Sequence, residues 1–463
     1  MNAGHFRFEM TELAVWTRGT WSGGVLAVSG FSKDTRTIKP GDLYIALRGE
    51  NFDGHAFVRK AFELGASAAL VDDAWQPAEG VAGLPLLRVA DTLKALQEMA
   101  RAWRLKSKAL IIGLTGSSGK TTTKEMTAAA LSGGGVVCAT EGNLNNDIGL
   151  PLSLLTMTPE TRFGVFEAGM NHRGEISFLA DILKPQAAVI SSIGPAHIEF
   201  LGSLENIAEE KADLLRVLPR DGFAVLSLET ACFDVLARAS TAPVVTTSFV
   251  SRNADFFGEL MDLEHGLFRV TERDSGKMVE CSSVLPGQHN ASNALLAFAV
   301  ARRAGVEAQK AVEGLKQLVM PGKRWEVVKR KGVTIVNDAY NANPDSMCAV
   351  VKTFMALPCK GRRVLVLGDM RELGAHSEAL HRSVGRDVAA CAPDLLLAVG
   401  ACATAFLAQE AIASGLPAGR VQLAKTTQEA GAVLSDFVRE GDSVLLKASR
   451  GMALENVFNA WKI

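Results

Sequence analysis

The sequence predicts an α/β protein of three domains, and three observations carry that reading. Its 463 residues exceed one ordinary domain, and at ~150 residues per domain they suggest about three. Apolar strand-like runs alternate with helical patterns, as mainly parallel sheets with covering helices require, and the alternation starts afresh near residue 321. A hydrophobic fraction of 48% supplies the cores that parallel strands, covered on both faces, need.

Residues 1–107 read as a small α/β domain: "DLYIAL" and "AALVDD" are strand-like around the helical pattern "HAFVRKAFELGA". A second helical pattern, "TLKALQEMARAWRLK", ends in a basic, polar stretch read as a linker. Residues 108–320 form the central domain. "ALIIGL" runs into a glycine-rich turn, and "FGVFEAGM", "AAVISSIG", "GFAVLSL" and "APVVTTSF" follow as strands of a mainly parallel sheet. Near its end "FRVTERDSGKMVECSSV" reads as an antiparallel hairpin. Residues 321–463 repeat the alternation with "GVTIVNDA", "RRVLVLGDM", "LLLAVG", "RVQLA" and "DSVLLKAS", each before a helical stretch. This third domain is Rossmann-like, although it has no G-x-G-x-x-G.

Charge and composition exclude several classes. Lys+Arg 49 against Asp+Glu 50 leaves a net charge of −1, without the basic surplus of a nucleic-acid binder. The N-terminal stretch has acids at Glu9 and Glu12 and no apolar segment, so it does not read as a signal peptide. The run "LLLAVGACATAFLA" is broken by Gly400 and Thr404 and is shorter than the ~20 residues of a spanning helix. The seven cysteines include no C-x-x-C pair, which fits reduced thiols. A cytoplasmic protein is expected.

The chemistry starts at "GLTGSSGKTTTKEM". An apolar strand entering Gly116, Ser117, Ser118, Gly119, Lys120, Thr121 and Thr122, followed by a helix, is the setting of a phosphate-binding loop. Backbone N–H groups and the helix N-terminus would face the phosphates. Lys120 would reach the β/γ-phosphates and the Thr121 hydroxyl would ligate Mg²⁺. The strict pattern has glycine where this chain has Leu114.

Glu167 and His197 each follow an apolar strand of the same sheet, where open α/β sheets bind ligands. Mg²⁺ prefers oxygen and accepts an imidazole in a fixed site. Lys211 sits in "ENIAEEKADLL" among Glu209, Glu210 and Asp213, and spacing alone favours a solvated helix face with charge pairs. The stretch "GNLNNDIGLP", with Asn143, Asn145, Asn146 and Asp147, is a turn-rich loop or one presenting amides to a polar ligand.

Together these motifs resemble the Mur ligase family, the ATP-dependent amide-forming enzymes of peptidoglycan precursor synthesis, over nearly the whole chain. "TGSSGKTTT" resembles the family's P-loop, whose glycine spacing accounts for Leu114. "EAGMNHRGEI", "AHIEFLGSLENIAEEKADLL" and "LPGQHNASNALLAFAVA" resemble central-domain motifs, and "NDAYNANPDSM", "VLGDMRELGAHSEALH" and "DSVLLKASRGM" resemble the C-terminal domain.

The resemblance implies an N-terminal UDP-sugar domain, with Asp34, Thr35, Arg36, Asp53, Gly54 and His55 binding substrate. It implies further substrate contacts from Asn143, Asn145, Asn146, Tyr340, Asn341 and Asn343. His289, Asn290, Asn293 and Asp338 become nucleotide contacts, and Arg324 reaches the γ-phosphate from the C-terminal domain. Thr121, Glu167, His197 and Lys211 become metal-site residues for two Mg²⁺ ions, Lys211 as its CO₂ adduct, which reverses the preference for a solvated face. Lys120, Lys211, His197 and Arg324 are the implied catalytic set.

Within the family, "NDAYNANPDSM" resembles the type that adds D-alanyl-D-alanine to UDP-N-acetylmuramoyl-tripeptide. The alternative is the type that adds the third amino acid to a UDP-linked dipeptide; its diaminopimelate-adding form carries D-N-P-R, absent here. Folylpolyglutamate synthases share the central fold without this N-terminal segment. A P-loop switch acting on a partner is a reading from another class. Partners are thus expected to be small molecules, with no nucleic acid and no membrane span, and the chain to act as a monomer. Departures from the pattern are Ser227 and Glu229, where Asn and Asp are usual, and Ala448, where glycine is usual.

Overall fold

The computed structural model describes residues 6–77 and 83–461. Three sheets organise them. The largest has nine strands, in the order Val137–Ala139, Phe163–Glu167, Leu110–Thr115, Ala187–Ile190, Phe223–Ser227, Val244–Ser248, Phe256–Asp262, Leu267–Glu272 and Met278–Ser282. The first seven are parallel and the last two pair antiparallel. The expected hairpin is therefore present, but it extends the main sheet through Phe256–Asp262 instead of standing apart.

Strand Leu110–Thr115 is flanked by Phe163–Glu167 on one side and Ala187–Ile190 on the other. The chain reverses its direction of travel across the sheet at that strand. Loops leaving adjacent carboxyl ends diverge there and open a crevice, the usual ligand position in an open α/β sheet.

The second sheet has the order Glu326–Arg330, Val333–Asn337, Ser443–Lys447, Arg363–Gly368, Leu395–Val399 and Val421–Ala424. Its edge strand Glu326–Arg330 is antiparallel, and the remaining pairings are parallel. That edge strand escaped the sequence reading because "EVVKR" is too polar to be read as core; its burial is one-sided at best. The last strand, Ser443–Lys447, is followed by 3₁₀ turns and the short helix Val457–Ala460. The N-terminal sheet has five strands, Thr20–Ser22, Leu86–Val89, Ala68–Asp72, Asp42–Ile45 and Gly30–Ser32. "LLLAVGACATAFLA" divides into the buried strand Leu395–Val399 and a helical segment after Gly400. No helix among the described residues is long and apolar enough to cross a membrane.

The expected linker after "TLKALQEMARAWRLK" is a correction. The helix runs from Thr92 to Lys106, capped by Asp91, which accepts from the N–H groups of Leu93 and Lys94. Its C-terminal turns are tied to helix ends and a loop of the central domain. Arg104, 5% exposed, donates from Nε to the Leu183 carbonyl at 2.8 Å and from Nη2 to the Lys184 carbonyl at 2.7 Å. Trp103 Nε1 donates to the Met157 carbonyl at 3.1 Å. A buried guanidinium is tolerated only when its donors are satisfied, and here helix-end carbonyls satisfy them. Leu96 and Met99 on this helix share one apolar cluster with Leu43, Ile111 and Leu183, and that cluster continues to Met347 and Leu365. The three units are thus cemented by common burial.

Candidate functional site

The glycines of the turn are set by geometry. Gly119 has φ +75°, and a Cβ there would lie 2.8 Å from Asn293 Oδ1; at Gly116, φ +157°, it would lie 2.1 Å from Ser191 Oγ. Side chains are excluded by both backbone conformation and space, which leaves a concave backbone cradle at the start of helix Lys120–Ser132. Ser191 and Ser192 brace it: Ser192 Oγ accepts from Ser118 N–H at 2.9 Å, and Ser191 Oγ donates to the Ser118 carbonyl at 2.6 Å.

Lys120 Nζ donates to the Gly116 carbonyl at 2.9 Å. Its pKa is lowered, by burial first, with Arg324 adding to the effect while Glu167 and Glu372 oppose it. An ammonium held this way gains from an anion in the cradle. Thr121 Oγ1 donates to Glu167 Oε2 at 2.8 Å, and Asn145 Nδ2 donates to Glu167 Oε1 at 2.7 Å. A buried carboxylate beside a hydroxyl and an imidazole-bearing wall is a donor set that fits a hard divalent cation. His197 is that imidazole; its Nδ1 lies 2.6 Å from Glu372 Oε2, a close contact that is not an aligned hydrogen bond.

The C-terminal sheet reaches the cradle. Arg324 Nη2 donates to Thr121 Oγ1 at 2.9 Å, and its guanidinium lies 3.9 Å from the centre of the Tyr340 ring. Asn343 caps helix Pro344–Ala356 and donates from Nδ2 to Ser118 Oγ at 2.8 Å and the Ser117 carbonyl at 3.3 Å. Asp338 accepts from Trp325 N–H at 2.9 Å and pairs with buried Lys447.

These groups line one cavity of about 670 Å³, a size that suits a nucleotide plus part of a second substrate. Its walls include the expected Ser117, Ser118, Gly119, Lys120, Thr121, Thr122, Asn143, Asn145, Asn146, Glu167, His197, His289, Asn290, Asn293, Arg324, Asp338, Tyr340, Asn341 and Asn343. Gly116 and Lys211 lie outside that lining, Gly116 as part of the loop backbone. Ser227 and Glu229, where the sequence departs from pattern, do line it.

Lys211 corrects the reading from spacing. It is 1% exposed, and its pKa lies well below the ordinary lysine value, through burial first and the nearby Lys120 charge second. Glu209 and Asp213 fit the solvated-face account, since both pair with Arg216. Glu210 faces inward and accepts from the N–H groups of Gly174 and Ile176. The overlooked signal was periodicity: Ile207, Lys211, Leu214 and Leu215 fall at i, i+4, i+7 and i+8 on one stripe.

The N-terminal candidates form a separate group. Asp34 accepts from the backbone N–H and the guanidinium of Arg36, which holds its carboxyl down at about 2. Asp53 Oδ1 accepts from His55 N–H at 2.9 Å and meets His55 Nδ1 at 2.6 Å, while His55 Nε2 accepts from Asp72 N–H at 3.0 Å. Both imidazole nitrogens are therefore engaged within the domain. Tyr44 Oη donates to the Gly54 carbonyl at 3.0 Å. Thr35 lies in the Asp34–Arg36 turn, and none of the six lines the cavity.

Sequence reasoning missed Glu372, Lys447, Ser191 and Ser192. Lys447 ends a parallel strand as Glu167 does, so the carboxyl-end rule could have found it. Glu372 has no local signal; its partner is 175 residues away, His197.

A backbone phosphate cradle, an inward lysine and a carboxylate on the helix's first hydroxyl define a P-loop nucleotide-binding protein. Residues 27–104 match the catalytic domain of the Mur ligase family, 114–301 its middle domain and 323–450 its glutamate ligase domain. The chain is 37% identical to the UDP-N-acetylmuramoyl-tripeptide--D-alanyl-D-alanine ligase of Bacillus subtilis, over 93% of this chain and 92% of that protein. It is 36% identical to the Escherichia coli protein of the same name, over 97% of each. Among solved structures it is similar to MurF of Acinetobacter baumannii, with a TM-score of 0.86 and 30% identity over 98% of this chain and 99% of that one. MurF of Thermotoga maritima in complex with ADP superposes with a TM-score of 0.77 at 26% identity, over 93% of this chain and 96% of that one. The chain belongs to the Mur ligase family.

Proposed function

We infer that this chain is an ATP-dependent ligase that adds D-alanyl-D-alanine to UDP-N-acetylmuramoyl-tripeptide, forming the UDP-linked pentapeptide precursor of peptidoglycan. The observation that carries the reading is the convergence of the P-loop and the C-terminal sheet on one cavity, with Arg324 on Thr121 and Asn343 on Ser118. Alignment at 36–37% identity over more than nine-tenths of two ligases of that name supports the substrate assignment. We assign residues 1–107 to the UDP-sugar end, 108–320 to ATP and 321–463 to closure over the phosphates, in the cytoplasm.

The reaction has two steps. A carboxylate oxygen of the tripeptide attacks the γ-phosphorus, the bond to the β–γ bridging oxygen breaks, and ADP leaves. The dipeptide's amine then attacks the acyl carbon, phosphate departs with the bonding pair, and the amine loses a proton as the amide forms. Lys120 and Arg324 stabilise the charge spread over the transferring phosphoryl group, which is mostly positioning and electrostatics.

Backbone N–H groups of 116–121 hold the phosphates. Asn290, Asn293, His289 and Asp338 hold the nucleoside side of the cavity, and Asn143, Asn145, Asn146, Tyr340, Asn341 and Asn343 the substrate side. Mg²⁺, when bound, neutralises phosphate charge. Thr121, Glu167 and His197 would hold it, with Lys211 as a carbamate serving a second ion; burial lowers the Lys211 pKa, which favours the neutral amine, the form that adds CO₂. At the far end, Asp34, Thr35, Arg36 and the Asp53–Gly54 turn meet the UDP-sugar, with His55 holding Asp53 in place.

The test is phosphate release with ATP and Mg²⁺, supplying UDP-N-acetylmuramoyl-tripeptide and D-alanyl-D-alanine separately and together. Sustained release only with both, and a product heavier by the dipeptide, is expected. Release that needs a free amino acid and the UDP-linked dipeptide instead would replace this reading with the other family type.

A further inference from the structure

We propose that Glu372 is a positioning residue, a carboxylate carried by the C-terminal sheet that orients His197 of the central sheet as a metal ligand, so that closure itself completes the cation site. The proposal rests on the metal role given to His197 above. Its observations are independent of that role. Glu372 Oε2 lies 2.6 Å from His197 Nδ1. The loop also docks through its backbone, the Glu372 carbonyl accepting from Glu199 N–H at 3.4 Å. Beside it, a Cβ on Gly374 would lie 2.8 Å from Glu199 Cγ, so the two loops pack without clearance.

Both partners sit in an unusual backbone conformation: His197 has φ +60° and Glu372 φ +61°. Neither is glycine, and a non-glycine residue persists there only when its surroundings enforce it. The strain is stored on both sides of a contact between sheets that belong to different parts of the chain.

The chemistry follows from imidazole tautomerism. A carboxylate 2.6 Å from Nδ1 favours the tautomer that carries the ring proton on that side, which leaves the Nε2 lone pair for a cation. His197 lines the cavity, and Nε2 takes no hydrogen bond from the described residues. Opening the C-terminal unit would remove Glu372, free the ring and weaken the site. Cation affinity and closure are thereby coupled.

The test uses the full chain loaded with ADP and titrated with Mn²⁺, free ion read by electron paramagnetic resonance. Glu372→Gln is expected to weaken Mn²⁺ binding by about tenfold or more, and Glu372→Asp, with its shorter reach, by an intermediate factor. His197→Ala should weaken it too, and the double variant Glu372→Gln/His197→Ala no further. Turnover of Glu372→Gln should be low at limiting Mg²⁺ and recover at saturating Mg²⁺, which a merely structural latch would not do. Unchanged Mn²⁺ affinity in Glu372→Gln alongside a weakened His197→Ala overturns the proposal alone. Losses that multiply in the double variant also overturn it. Unchanged affinity in His197→Ala overturns the metal role of His197 and the proposal together.

Discussion

Arg324 donates to the hydroxyl of Thr121 across 203 residues of sequence, at 2.9 Å. Thr121 passes that contact on to Glu167, so one hydroxyl joins a C-terminal guanidinium to a central carboxylate. The neighbours of Arg324, Lys323 and Trp325, both have positive φ, +64° and +52°. Lys323 is held by Glu455 at 2.6 Å and Trp325 N–H by Asp338 at 2.9 Å. Two strained residues aim the side chain between them.

Arg324→Ala should therefore lower kcat by roughly 10²–10³-fold, the scale of losing one preorganised donor to the transition state. Arg324→Lys should fall between, since it keeps the charge but loses the planar fork and the stacking on Tyr340. Saturating phosphate-release assays measure both. A kcat within a factor of two of wild type for Arg324→Ala would remove Arg324 from the transition state.

Lys211 gives a prediction with two readouts. Its folded pKa lies below the unfolded value, so the fold penalises the charged form. The penalty is full below the folded pKa and fades as pH rises toward 10.5, the unfolded value. Lys211→Met should thus raise Tm at neutral pH in CO₂-free buffer while lowering turnover by at least about 100-fold. Added bicarbonate should raise the Tm of the wild type and leave Lys211→Met unmoved. Lys211→Ala should regain part of its activity with a short carboxylic acid.

His289 predicts an acid limb. Burial lowers its pKa from 6.5 to about 4, so the folded state favours the neutral ring. That contribution is complete above pH 6.5 and is lost as pH falls through 4. In Tm measured from pH 7.5 down to 3.5, His289→Gln should decline less steeply than wild type across this window. Parallel curves would count against a neutral imidazole favoured by the fold.

Asn343 does two jobs, and its loss should show both. It caps helix Pro344–Ala356 by accepting from Ser346 N–H at 2.9 Å, and it touches Ser117 and Ser118. Asn343→Ala should cost about 1 kcal/mol as a lost cap and raise KM for ATP. Asn343→Asp keeps the cap, so it should restore Tm but not the amide donation to Ser118, leaving KM high. Recovery of both together would assign Asn343 to the helix alone.

The order of strands and helices was legible because it is written locally. The helix Thr92–Lys106 matches its apolar pattern end to end, and strand Leu110–Thr115 and the cradle follow from one apolar run and two glycines. Periodicity and backbone preference act over a few residues, and neighbours in sequence report them. The strand Glu326–Arg330 was illegible because an edge strand with one poorly covered face need not be apolar.

What the sequence by itself determined is the series of elements, the glycine-bounded phosphate cradle and the set of residue types able to serve it. What only the tertiary structure decided is which polar groups are taken from water and whom they face. Glu209 and Lys211 are two residues apart, yet one pairs with Arg216 in solvent and the other is buried under the sheet. Arg104 looked like part of a linker and became an anchor, and Glu372 meets His197 only because two sheets close on each other. The physical reason is that desolvation and charge pairing depend on distances between elements, and packing sets those distances through burial shared across the whole chain.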